Sequence, residues 1–492
     1  LSQTPQDEAA PSQASKGANR SALKAWTRAL EMTAQSARQP LRTLPIVIEE
    51  GVQRFGDAPA VLSDEQCLSH RELAQRCNRY ARWGLQQGLA KGDVVGLLME
   101  NSPEYLAVWI GLTRLGVVVS LLNVHLRAGA LLHAIGLVKP RQLIVGASLW
   151  SELAPFLRQQ VPDAHLWCAN AGAGALPAEG RDERLDNALA QLGDSALSEQ
   201  ECPLPSASDR ALFIYTSGTT GLPKAANVSH FRVMQWSHWF AGMVGTGPAD
   251  RVYNCLPMYH SVGGIVAVGA ALVTGGSVVV RRRFSARQFW DDIVRWDCTM
   301  FQYIGELCRI LVMEPPQPLE TAHRLRIACG NGLAADIWER FRDRFRIPQI
   351  LEFYAATEAN FSLYNCEGKP GSLGRVPPFF AHRFPLALVR FDVAAGAPER
   401  DAAGRCVACE VGEAGEAISR VSVDAAQPAG RFEGYTDASA TDNKILRDVF
   451  EPGDAWYRSG DLMRRDRGGF YYFVDRVGDT FRWKGENVST TE

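Results

Sequence analysis

A short apolar strand, ALFIY at Ala211 to Tyr215, runs directly into YTSGTTGLPKAA, Tyr215 to Ala226. Within nine positions this string places Thr216, Ser217, Gly218, Thr219, Thr220, Gly221 and Lys224. A strand that ends in such a turn is shaped for phosphate: glycines let backbone N–H groups close around an anion, hydroxyls add donors, and Lys224 supplies positive charge. It is not a Walker loop, which needs four residues between its glycines and a Lys-Ser/Thr pair straight after the second one. Here Gly218 and Gly221 have only two residues between them and Lys224 comes later. A kinase or motor ATPase is therefore disfavoured.

Around this string the chain reads as α/β wiring. Ser69 to Gln87 and Pro103 to Leu115 have helical patterns, and Asp93 to Met99 reads as a strand. From 168 to 210 the sequence turns to Ala, Gly, Pro and acidic residues, a loose insertion. From 211 to about 349 strand and helix patterns alternate again, and after Pro377 the chain becomes β-rich with Gly-containing turns. The expected division is a flexible N-terminal segment and surface helix (1–43), a first α/β subdomain (44–210), a second α/β subdomain carrying the phosphate loop (211–376) and a smaller β-subdomain (377–474). Residues 475–492 are too few for a further domain.

Composition narrows the classes. The 52 Lys and Arg against 54 Asp and Glu give a net charge of -2, without the basic surface that nucleic acid requires. The 11 cysteines, an odd number over a long chain, read as reduced thiols. The apolar run Val262 to Val280 is broken by Gly275 and Gly276, and Leu106 to Leu122 by Arg114, so both read as core helix feeding strand. Cys406 and Cys409 form a CxxC without a second pair or nearby His, which leaves a zinc ribbon half its ligands. The run Arg281 to Arg283 reads as a solvated strand edge.

At TSGTTGLPK the chain resembles the adenylate-forming superfamily of acyl-CoA synthetases, peptide-synthetase adenylation domains and luciferases. YAATEAN at Tyr354 to Asn360 resembles that family's second signature. The resemblance implies that Tyr354 stacks on adenine, Thr357 meets the α-phosphate and Glu358 holds Mg2+, a hard cation suited to carboxylate and phosphate oxygen. GNGL (Gly330, Asn331, Gly332, Leu333) resembles the loop that approaches adenine. YRSGDL supplies Asp461 for the ribose hydroxyls, and DRVGD supplies Arg476 for ribose or phosphate and Gly478 for the interdomain hinge. CLPMYHSVGGIV, FQYIGELCR and RVGDTFRWKGENVSTTE are similar to the very-long-chain acyl-CoA synthetase and fatty acid transport protein branch. The similarity extends from Leu44 to Glu492.

The resemblance implies an ATP-dependent, AMP-forming ligase that joins a long- or very-long-chain fatty acid to coenzyme A through an acyl-adenylate. Lys224, Thr357, Glu358 and His260 are the expected catalytic residues. Small residues after His260, notably Gly263 and Gly264, together with Tyr303, Gly305 and Ala355, are expected beside the acyl chain, where each buried methylene gains about 0.8 kcal/mol. Close helix–sheet packing is the other reading of these glycines. The family's small C-terminal α+β domain is expected to be essentially absent, Lys484 belonging to its opening loop, so that the chain binds ATP and acyl-AMP but turns over poorly. Two alternatives stand beside this one: a CoA ligase for a sterol side chain or bile acid, and a fatty-acid carrier with a secondary nucleotide site. The expected location is cytoplasmic, with peripheral contact at the inner face of a membrane and the oligomeric state left open.

Overall fold

The computed structural model describes residues 22–169, 183–217, 222–392, 395–422, 431–477, 480–483 and 486–489. Two large sheets form its body. One has seven strands in the spatial order Glu183–Arg184, His165–Ala169, Gln142–Gly146, Val94–Leu98, Val118–Leu121, Arg210–Ser217 and Pro223–Ser229. Its neighbours are parallel except for the final hairpin, Arg210–Ser217 with Pro223–Ser229. Parallel strands are covered on both faces, which is why they read as unbroken Val/Leu/Ile runs.

The other sheet has eight strands, ordered Ser362–Asn365, Ile350–Ala355, Ile327–Asn331, Met300–Ile304, Arg251–Asn254, Ser277–Val280, Pro59–Leu62 and Cys67–Ser69. Only its two edge pairs are antiparallel. The expected boundary at 210/211 is therefore corrected. Strands 210–217 and 223–229 complete the first sheet, while 59–62 and 67–69, early in the chain, extend the second. Periodicity reveals that a segment is a strand but not which sheet receives it.

Helices pack against the strands of both sheets. Every residue of Pro103–Thr113 is buried, and its first turn is capped by the Ser102 side chain, which accepts from Tyr105 N. His70–Gln86 opens on a capping box between Ser69 and Glu72. His230–Val244 starts at a Ser229 cap and ends at Gly245 in the left-handed region. Val262–Val266 is a π-helical turn that continues as the helix Ala267–Leu272, a geometry that often marks functional segments.

The β-rich region expected after 377 forms an antiparallel sheet of Leu386–Val389, Ala414–Arg420, Ala455–Arg465 and Ile445–Arg447, with Tyr471–Arg476 added against Ala455–Arg465. The N-terminal helix, Ala22–Arg38, is more than a surface element. Trp26 and Ala29 are fully buried, and Gly242 on helix His230–Val244 leaves the space into which Ala29 fits. Arg281 also departs from the solvated edge expected: it pairs with Asp64 and, at 3.1 Å, with Asp292. Among the described residues no helix is long and apolar enough to cross a membrane, and no three His, Cys, Asp or Glu side chains cluster as a metal site.

Candidate active site

Strand Ile327–Asn331 ends in the GNGL loop, where Gly332 has φ +81° and so needs glycine. The loop is held by a residue that sequence reading missed. Glu352, on the neighbouring strand and 2 % exposed, accepts from Gly332 N at 2.5 Å, Leu333 N at 3.1 Å and the Tyr303 hydroxyl at 2.6 Å. The signal for it is a carboxylate inside the apolar strand ILEFYA, because a buried charge must find donors. The loop then forms, with Tyr354, Ala355, Gly371, Leu373, Phe473 and Arg476, the wall of a cavity of about 490 Å³. Asn331 contributes a buried side-chain oxygen with no partner among the described residues.

Two residues of this wall, Tyr354 and Arg476, share the carboxylate of Asp461 behind them. Asp461, 1 % exposed, lies opposite Arg476 in the antiparallel pair formed by their strands. Arg476 Nε donates to Asp461 Oδ1 at 2.6 Å, and the Tyr354 hydroxyl donates to Oδ2 at 2.5 Å. Burial, and then the neighbouring Asp461 charge, push the Tyr354 hydroxyl well above the ordinary phenol range, so it stays a donor.

A second group of residues is linked to Glu358 through Tyr435. Thr216 and Lys224 face each other across the hairpin that carries the phosphate string. The Lys224 ammonium stands 5.8 Å from the Tyr435 ring centroid, and the Tyr435 hydroxyl donates to Glu358 Oε1 at 2.7 Å. Thr357 meets Ser261, neighbour of His260, with their hydroxyl oxygens 3.1 Å apart. Buried Arg232 donates to the carbonyls of Thr357 at 2.8 Å and Ala359 at 3.2 Å, fixing the backbone on both sides of Glu358. Neither Tyr435 nor Arg232 was singled out from sequence, because each lies far along the chain from the residues it supports.

Thus Asn331, Gly332, Tyr354, Ala355 and Arg476 line one cavity with Asp461 behind Tyr354, and Lys224, Thr216, Glu358 and Thr357 gather around Tyr435 and Ser261. Gly218, Thr219, Thr220, Gly221, Gly478, Lys484 and the side chain of Ser217 lie outside the described residues. The small residues expected to leave room for an acyl chain do not do so on their Cβ sides. A Cβ on Gly263 would sit 2.4 Å from Pro257 O, on Gly264 2.0 Å from Met258 O, and on Gly305 1.7 Å from Gly332 O. Their smallness serves close backbone packing, as it does for Gly330 against Tyr303 O at 2.2 Å. Tyr303 is fully buried and spends its hydroxyl on Glu352.

The AMP-binding enzyme family matches residues 48–383. Long-chain fatty acid transport protein 1 of Mus musculus is 41% identical over 455 residues, covering 92% of this chain and 69% of its own length. Medium/long-chain-fatty-acid--CoA ligase FadD6 of Mycobacterium tuberculosis is 37% identical over 447 residues, covering 91% and 71%. Among solved structures, the anthranilate CoA ligase AuaEII in complex with anthranoyl-AMP superposes with a TM-score of 0.74 at 20% identity, over 91% of this chain and 80% of that one. At that identity the likeness concerns the fold.

Proposed function

The chain belongs to the AMP-binding enzyme family and is an AMP-forming acid–thiol ligase; from that premise we propose that its acid is a long-chain fatty acid, activated in the cavity beside Tyr354. The observation that carries the nucleotide assignment is that Tyr354 and Arg476, which line a cavity of about 490 Å³ together with the GNGL loop, both donate to the buried Asp461 carboxylate behind them. An aromatic face suits a base. The unpartnered Asn331 oxygen suits an amino donor on that base, and the Asp461 carboxylate suits a ribose diol.

In the first step a carboxylate oxygen of the acid attacks the α-phosphorus of ATP, and the bond to pyrophosphate breaks. In the second, the coenzyme A thiolate attacks the acyl carbonyl and AMP leaves. The protein's part is positional and electrostatic. Lys224, with Thr216 opposite it, would face the phosphates; Thr357 would reach the α-phosphate; Tyr354, Asp461 and Arg476 would fix the nucleoside for in-line attack. Glu358 fits Mg2+, since that ion takes one or two carboxylates with phosphate oxygens completing its shell, and bound there it would neutralise charge on the pyrophosphate leaving group. His260, whose chain neighbour Ser261 meets Thr357, would border the reacting carboxylate.

The long-chain assignment comes from the relatives' names, and the glycines at 263, 264 and 305 do not add to it. Its test is thermal stabilisation by non-hydrolysable acyl-adenylate analogues with short, medium, long and sterol-type tails. Stabilisation that grows along the straight-chain series supports the reading. A larger shift with the sterol tail would replace it with a sterol-acid ligase, and no shift with any tail in a folded sample would remove the nucleotide assignment.

A further inference from the structure

Tyr435 lies outside every motif that carries the nucleotide assignment, yet it touches two of the charges that assignment uses. Its backbone is fixed against the strand that bears Lys224. Tyr435 bridges Ala226, Thr436 N donates to Ala225 O at 3.0 Å, and Asn227 N donates to Gly434 O at 3.0 Å. Gly434 has φ +69°, and a Cβ there would press on Thr441 at 2.8 Å. Thr441 in turn accepts from Tyr435 N at 2.9 Å. Tyr435 is 6 % exposed and packs with Ala226, Ala440 and Phe432. Backbone and ring are both held, so the direction of the hydroxyl is set before any ligand arrives.

That hydroxyl donates to Glu358 Oε1 at 2.7 Å. Glu358 has three side-chain torsions, and Arg232 restrains only the backbone around it. The bond from Tyr435 restrains the carboxylate itself. The ring also lies within cation–π range of the Lys224 ammonium, which stands 5.8 Å from its centroid. A phenol that donates to an anion becomes richer in electrons, which strengthens the hold of its face on a cation. We propose that Tyr435 is a positioning residue that presents the Glu358 carboxylate to a divalent cation and the Lys224 ammonium to the phosphates of a nucleotide. The inference rests on the nucleotide site proposed above and adds to it the residue that places its two opposite charges.

The experiment is a calorimetric titration of ATP at a series of Mg2+ concentrations, with wild type, Tyr435→Phe, Tyr435→Leu, Glu358→Gln and the Tyr435→Phe/Glu358→Gln double variant. Phe keeps the ring and its packing and loses only the donor. Its Mg2+-free ATP affinity is expected to match wild type, which shows in the same titration that the site is folded. Its Mg2+ midpoint is expected to rise about 10-fold, the usual cost of losing the partner that orients a metal-binding side chain. Glu358→Gln should shift the midpoint at least as far, and the double variant no further than Glu358→Gln alone, because the two groups act as one unit. Tyr435→Leu should also weaken Mg2+-free binding several-fold, through the lost contact with Lys224. A wild-type midpoint in Tyr435→Phe, with Glu358→Gln shifted, would overturn the role of Tyr435 and leave the site standing. A wild-type midpoint in Glu358→Gln, or no ATP binding by the wild type, would overturn the site itself and this inference with it.

Discussion

The Tyr354 hydroxyl and the Arg476 guanidinium share one carboxylate, with Tyr354 on Asp461 Oδ2 at 2.5 Å and Arg476 Nε on Oδ1 at 2.6 Å. A ribose diol that docks on Asp461 must use its remaining lone pairs or displace one of these donors. Arg476 is the harder to displace, because the opposite charge of Asp461 offsets the cost of its burial and keeps it firmly protonated. Tyr354→Phe keeps the aromatic face and frees a lone pair, so ATP affinity is expected to stay within about threefold of wild type. Asp461→Asn accepts through one oxygen and leaves Arg476 without its counter-charge. Its ATP affinity should fall about 10- to 100-fold, the equivalent of a hydrogen bond to a charged group. Isothermal titration with ATP measures both, and equal losses in the two variants would show that Tyr354 holds the ribose directly.

Two glycine substitutions separate packing from permissiveness. An alanine at Gly264 would place Cβ 2.0 Å from the Met258 carbonyl, a contact that only backbone movement relieves. Gly264→Ala is expected to destabilise the fold by about 1–3 kcal/mol. Gly136 lies in the helix Ala128–Val138, and nothing approaches its Cβ direction within 4 Å. Gly136→Ala should stabilise by about 0.5–1 kcal/mol through helix propensity. Urea unfolding of both variants tests the pair. A Gly264→Ala protein as stable as wild type would mean that the π-helical turn yields easily, and would reopen that turn as room for a ligand.

How much of this was legible beforehand follows from what periodicity and local motifs encode. The helices beginning at His70 and Pro103 and the strands at Val94 and Arg210 carry their own signals, caps and apolar runs that need no partner to be read. The exchange of Pro59–Leu62 into the second sheet does not, because a strand's sequence says nothing of its neighbour across the chain. Tyr354, Thr357 and Glu358 were legible as one string. Glu352, Arg232 and Tyr435, which hold them, emerge only when distant segments meet. The glycines at 263, 264 and 305 show the converse limit: small residues look the same in sequence whether a ligand or a backbone fills the space they leave.

Two histidines of the helix His230–Val244 make stability depend on pH. Burial holds His230 down at about 4 from 6.5, with the Asp209 charge opposing that shift and Lys91 adding to it. Burial also holds His238 down at about 4, and Arg42 adds to the effect, while its Nδ1 lies 2.9 Å from Ser36 Oγ. Both pKa values are lower folded than unfolded, so below about pH 6.5 the unfolded chain binds protons that the folded chain refuses. Stability is therefore full above about pH 6.5 and falls toward pH 4, by up to about 3 kcal/mol for each histidine. Urea unfolding at pH 7.5, 6 and 5 should show this slope. His238→Gln should make it shallower, and a wild-type curve level across the range would remove the assignment.

The N-terminal helix precedes the stretch matched by the family, yet its Trp26 sits at the centre of an aromatic cluster. Ring centroids lie 5.5 Å away at Trp239, 5.7 Å at Tyr364 and 5.2 Å at Phe384, all in edge-on geometry. Those partners belong to the helix His230–Val244, the edge strand Ser362–Asn365 and the approach to the β-subdomain, so one side chain ties three elements together. Trp26→Ala should cost about 3–5 kcal/mol, the range for emptying a large aromatic site in a packed core. The effect should also reach the nucleotide. The same helix carries Arg232, whose guanidinium holds the carbonyls of Thr357 and Ala359, and a helix loosened at Trp239 supports that grip less well. Urea unfolding and ATP titration of Trp26→Ala measure the two consequences separately. A large loss of stability with unchanged ATP affinity would confine the helix to a structural role, whereas a loss in both would make this segment, outside the family match, part of what holds the site in shape.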